Sequence, residues 1–191
     1  MHQDRELEIG RMTLADAIER YMQSHPEESD TCERFLDFVR REPGCFHRST
    51  LEGHVTGSAW VVDTRGSHTL LTHHRKLDKW LQLGGHADGD HDVVRVALTE
   101  AREESGIADV RLLHPEIFDL DIHVIPARSS EAEHLHFDVR YVVLAGHADH
   151  VVGLESFDLA WVPVDRITDF TNEESMLRMA RKWNVLSAQY V

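Results

Sequence analysis

The segment His134–Tyr141 (HLHFDVRY) alternates polar and apolar residues without a break. A period of two is the signature of a strand. It puts His134, His136, Asp138 and Arg140 on one face and Leu135, Phe137, Val139 and Tyr141 on the other. A strand of this kind has an apolar face that other elements must cover, so a packed sheet is the first requirement on the fold. Further strand patterns fall at about 54–63, 68–74, 79–83, 110–113, 117–125 and 157–164. The first fifty residues read differently. Leu14, Ala17, Ile18, Tyr21 and Met22 recur at helical spacing, with Thr13 and Asp16 as a capping-type start and His25-Pro26 as the end. A second helix starts at Ser29 or Asp30, turns Cys32, Phe35, Leu36 and Val39 inward, and stops at Pro43-Gly44. Val93–Ser105 reads as a helix ended by Gly106, and a last helix spans about Asn172–Asn184. Strands, a helix, more strands and a helix imply an α+β or mixed-sheet α/β sandwich.

Composition narrows the function classes. Twenty Lys and Arg against thirty-four Asp and Glu leave a net charge of −14, which argues against nucleic acid or an anionic membrane as partner. No apolar run approaches the roughly 18 residues of a membrane helix. The polar start MHQDRELEIG is unlike a signal peptide, and Cys32 and Cys45 make no disulfide framework. A reducing, cytoplasmic setting is the expectation. Fifteen histidines are many for 191 residues.

The chemistry concentrates in Thr99–Ile107 (TEAREESGI). Glu100, Glu103 and Glu104 stand at i, i+3 and i+4, so their carboxylates share one helix face. In a cleft, two such charges about 4 Å apart repel by roughly 4 kcal/mol at an effective dielectric near 20. A hard divalent cation reverses that sign, and oxygen ligands favour Mg²⁺ or Mn²⁺. Gly84 and Gly85, upstream, allow the backbone to approach a ligand closely, and a carbonyl there can join the carboxylates.

Gly85–Ile107 resembles the box of the Nudix hydrolases: Gly, five residues, Glu, seven residues, then Arg-Glu-aliphatic-x-Glu-Glu-x-Gly-aliphatic. Gly85, Glu100, Glu103, Glu104, Gly106 and Ile107 match, and Ala101 stands at the aliphatic position. His91 replaces the first glutamate and Thr99 the arginine. The resemblance implies an αβα sandwich with a mixed sheet over residues 51–191, carrying residues 1–50 as an N-terminal helical extension. It also implies Mg²⁺- or Mn²⁺-dependent hydrolysis of a diphosphate linkage in a nucleoside diphosphate derivative or related small molecule, and it is compatible with a homodimer. Glu100, Glu103, Glu104 and the Gly85 carbonyl take the positions of the metal ligands. His91 and Thr99 read as a retuned surround of that site, with Asp90 and Asp92 able to supply a further carboxylate.

The base that activates water has three candidates. Glu155, six residues before Trp161, resembles a loop glutamate of some Nudix enzymes, and Glu103 and Glu104 are the others. His86 follows the glycines and is placed to face a substrate. The polar row His134, His136, Asp138 and Arg140 suits phosphate contact or a second metal, although a single strand rarely supplies a closed zinc site. Two other readings remain: a catalytically weakened ligand-binding or regulatory protein, which His91 and Thr99 favour, and a metal-handling protein centred on His134 and His136.

Overall fold

A computed structural model of the chain describes residues 2–127, 132–153 and 156–190. Helix α1 (His2–Ser24) begins well before Thr13. Residues 2–12 are rich in helix formers, and the Thr13 hydroxyl donates back to the Ile9 carbonyl at 2.9 Å, so it sits inside the helix rather than capping it. His25-Pro26 ends α1 as expected, and a 3-10 turn over Pro26–Glu28 leads into α2 (Ser29–Arg41). Neither Ser29 nor Asp30 caps α2. Ser29 closes the preceding turn by donating its N–H to the Pro26 carbonyl, and Asp30 lies in the first helical turn, where it complements the helix dipole. The expected inner face, Cys32, Phe35, Leu36 and Val39, is buried, together with Phe38.

The sheet is mixed. Strands β1 (Gly53–Val62) and β7 (His134–Ala145) run parallel at its centre, and every other described pairing is antiparallel. Around them lie β2 (His68–His74), β3 (Lys79–Leu81), β4 (Leu83–His86), β5 (Val110–Leu112), β6 (Asp119–Ile125) and β8 (Ser156–Pro163). Both central strands change partner along their length. Thr56–Ala59 of β1 pair with β4, while Val61 and Val62 pair with β2. His134–Arg140 of β7 pair with β6, while Val143–Ala145 pair with β5.

Helix α3 (Val93–Ser105) matches its sequence reading. Asp92 caps its start by accepting from the Arg95 N–H at 3.1 Å, and Gly106, at φ +71°, ends it in the left-handed conformation. The apolar residues of β7, Phe137, Val139 and Tyr141, share a core with α1, α2 and the start of α3. Phe38 stacks on Phe137 at 3.8 Å and Phe35 meets it edge-on at 5.3 Å. Helix α4 (Glu174–Leu186) closes a second core over Trp60, Val62, Leu71 and Val142 through Met176, Met179 and Trp183. Trp60 is fully buried in it. Among the described residues no helix is long and apolar enough to cross a membrane.

Candidate functional site

Strand β4 is built to bring backbone against carboxylate. It pairs with β1 so that Gly84 lies opposite Ser58, Gly85 opposite Gly57 and His86 opposite Thr56. A Cβ on Gly85 would fall 2.5–2.7 Å from the Glu100 carboxylate, and one on Gly84 would fall 2.2 Å from Ser58 Oγ. Only glycine permits both approaches. The Gly84 N–H donates to Glu104 Oε2 at 2.9 Å, which fixes that carboxylate toward the strand. Glu100, Glu103 and Glu104 reach the same cavity of about 540 Å³ as Gly84 and Gly85. An all-oxygen donor set beside a backbone that no side chain blocks fits a hard divalent cation such as Mg²⁺ or Mn²⁺.

Imidazoles line the same cavity. Register places His136 of β7 between His54 of β1 and His123 of β6. His134 lies two residues before His136 on the same face, and His86 comes in from β4. The His54 ring stands 5.0 Å from those of His86 and His134 and 4.8 Å from that of His136. Burial, and then the neighbouring imidazoles, push His54 down to about 4 and His136 down to about 2. Both rings are neutral at physiological pH.

No family model matches the chain, and no curated protein matches it in sequence. Solved structures do match. An Ap4A hydrolase from C. elegans aligns with a TM-score of 0.58 at 16% identity, over 71% of this chain and 98% of its own. A NUDIX-family hydrolase from Clostridium perfringens aligns at 0.52 and 24% identity, over 70% and 97%. A MutT protein from Methanosarcina mazei Go1 aligns at 0.53 and 16%, over 72% and 97%. The chain has the Nudix fold.

Within that Nudix fold, Gly85, His86, Glu100, Glu103, Glu104, His134, His136 and Asp138 all line the one cavity. Glu155 lies outside the described residues; Gly153 and Ser156, on either side of it, line the cavity. Arg140 is placed elsewhere than its sequence reading suggested. Its guanidinium is only 2% exposed and is committed to Asp138 (2.7 Å), Asp119 (3.0 Å) and Asp121 (3.3 Å). That commitment corrects the expectation of a phosphate contact from Arg140. Asp138 also accepts from Thr56, Ser58 and Gln82 at 2.8, 2.7 and 3.1 Å, so it orders the cavity floor.

The two departures from the Nudix box are equally informative. His91 packs on α1, where a Cβ on Gly10 would lie 2.3 Å from its own Cβ. Thr99 is exposed. Asp90 and Asp92 supply no extra carboxylate to the cavity: Asp90 accepts from the Arg95 side chain at 2.7 Å and Asp92 caps α3. His74, which ends β2, and Lys76, in the basic turn after it, line the cavity. Arg75 instead donates to the Ser156 carbonyl at 2.9 Å and lies over the Phe157 ring. Sequence reasoning did not single out His54 or His123. His54 opens the alternation His54, Thr56, Ser58 that faces the cavity side, but only the strand register shows which residues it meets.

Proposed function

We propose that the protein is a divalent-metal-dependent hydrolase of a diphosphate linkage in a nucleoside diphosphate derivative or a related small molecule. The observation that carries this reading is the convergence of Glu100, Glu103 and Glu104 with the Gly84-Gly85 backbone at one cavity. Glu100, Glu103, Glu104 and the Gly85 carbonyl would hold Mg²⁺ or Mn²⁺. Bound there, the ion supplies a water of lowered pKa and neutralises diphosphate charge. Glu104, tethered by the Gly84 N–H, is held at the cavity. Glu103 is the exposed member of the triplet and takes the proton of the attacking water at a carboxylate oxygen. Lys76, on the cavity wall, offers its ammonium to phosphate oxygens.

A second reading, a ligand-binding protein of the same fold with little turnover, is favoured by His91 turned onto α1 and Thr99 left in solvent. One experiment separates the two. Release of phosphorylated products is followed over dinucleoside polyphosphates, nucleoside triphosphates, nucleoside diphosphate sugars and prenyl diphosphates with Mg²⁺ or Mn²⁺. Glu103→Gln and Glu104→Gln serve as controls. The expected result is turnover on one class, reduced about 10²–10⁴-fold in Glu103→Gln with the fold retained. Ligand binding without turnover in the parent establishes the second reading, and full activity in both variants refutes the assigned site.

A further inference from the structure

The polar face of the sheet holds a second cluster that the hydrolase reading does not use. His54, His86 and His136 come from three different strands, and one ring nitrogen from each lies within 4.8 Å of the others. His54 is 1% exposed, and neither of its ring nitrogens has a hydrogen-bond partner; the buried Nε2 of His136 has none either. Buried polar atoms are nearly always satisfied, so orphans aimed into a common space require an account. A neutral imidazole offers one N–H and one lone pair. The orphaned nitrogens of His54 and His136 leave lone pairs without a donor, and a cation held with His86 satisfies them together.

We propose that His54, His86 and His136 form a three-imidazole site for a zinc-class divalent ion, separate from the oxygen ligands of the glutamate helix. Imidazole nitrogen suits Zn²⁺, Co²⁺ and Ni²⁺, whereas carboxylate and carbonyl oxygen suit Mg²⁺ and Mn²⁺, so the two donor sets select different ions. Two nitrogens each about 2.0–2.1 Å from one tetrahedral ion stand roughly 3.4 Å apart. The nitrogens therefore close by at most about 1.4 Å on binding, a movement that rotation of the half-buried His86 and His136 side chains supplies. Three histidines leave a fourth position, open to water or to a phosphate oxygen from the cavity. A single strand does not provide such a site; the parallel pairing of β1 with β7 and the return of β4 do.

The test uses the full-length protein stripped of metal and held in excess Mg²⁺. Co²⁺ is titrated and read by its visible absorption, and Zn²⁺ by competition with a chromophoric chelator. One ion per chain is expected, retained in Glu103→Gln and weakened on the order of 100-fold or more in His86→Gln and in His136→Gln. His86 is half-buried on the cavity wall, so its replacement leaves the core intact, and circular dichroism checks the fold of each variant. The proposal is overturned if no ion binds. It is overturned equally if binding survives both histidine variants, which assigns it to other histidines, or if Glu103→Gln abolishes it, which assigns it to the glutamates. The readout is binding and not hydrolysis, so failure of the hydrolase reading leaves this result interpretable.

Discussion

At Arg140, strand β7 carries a guanidinium ringed by carboxylates; at His136, on the same face, it carries an imidazole ringed by imidazoles. In the first region opposite charges meet. Asp119 is fully buried and accepts from Arg140, from Arg178 at 2.8 Å and from Lys182 at 2.6 Å. Lys182 also pairs with Glu28, so the network joins β6, β7 and α4 to the turn between α1 and α2. In the second region burial and the neighbouring imidazoles outweigh the one carboxylate that acts on His54, that of Asp88, and hold the rings of His54 and His136 neutral. The first cluster is closed and structural. The second opens on the cavity and is kept without evident structural gain, which is the physical mark of a binding site.

The comparison breaks most visibly at Arg140. Arg140→Met removes one cation from among Asp119, Asp121 and Asp138 and leaves buried carboxylate charge under-compensated. Destabilisation of about 3–5 kcal/mol is expected. Urea unfolding measures it as a lower midpoint at unchanged slope. A loss below about 1 kcal/mol would show that Arg178 and Lys182 suffice, and that the region is not the closed network described.

How much of this was legible before the structure differs between the same two regions. The alternation in β7 identifies its polar face, and the glycines and glutamates of 85–107 identify one wall of the cavity. Period and spacing are local, and those features are local. Arg140 and His136 occupy equivalent positions in the alternation, so nothing local distinguishes a buried ion network from a cavity wall. The distinction is made by register: Asp119 falls opposite Arg140, and His54 and His123 fall opposite His136. The start of α1 was illegible for another reason. A mid-helix threonine that bonds back to Ile9 presents the same residue type as a cap.

A smaller effect is expected from pH. Burial alone would raise Asp119, but the hydrogen bond from Arg178 and the charges of Arg140 and Lys182 outweigh it and hold the carboxyl below its ordinary value. Asp121 is depressed in the same way, its bond to His123 and the charge of Arg140 outweighing burial. A carboxyl with a depressed folded value contributes stability that is fully present above its unfolded value of about 3.9 and is lost as pH falls below it. Thermal unfolding followed from pH 5 to pH 3 should therefore show a falling midpoint. Asp119→Asn should start lower and fall less steeply, having one such carboxyl fewer. Parallel curves for the two proteins would remove Asp119 from the acid response.

The smallest effect, and the sharpest for the comparison, concerns His54. A buried ring with both nitrogens orphaned costs on the order of 1–3 kcal/mol, a penalty that an apolar side chain of similar size does not carry. His54→Leu should therefore raise the unfolding midpoint of the metal-free protein by about 2–4 °C for each kcal/mol relieved in a chain of this size. Added Zn²⁺ should stabilise the parent and leave this variant unmoved, because a ligand that binds only the folded state raises its midpoint. The two readouts move in opposite senses for a binding site and together for a structural residue. A variant that loses stability without metal would show that His54 holds the sheet together, as Arg140 does, and would place the two regions in one class.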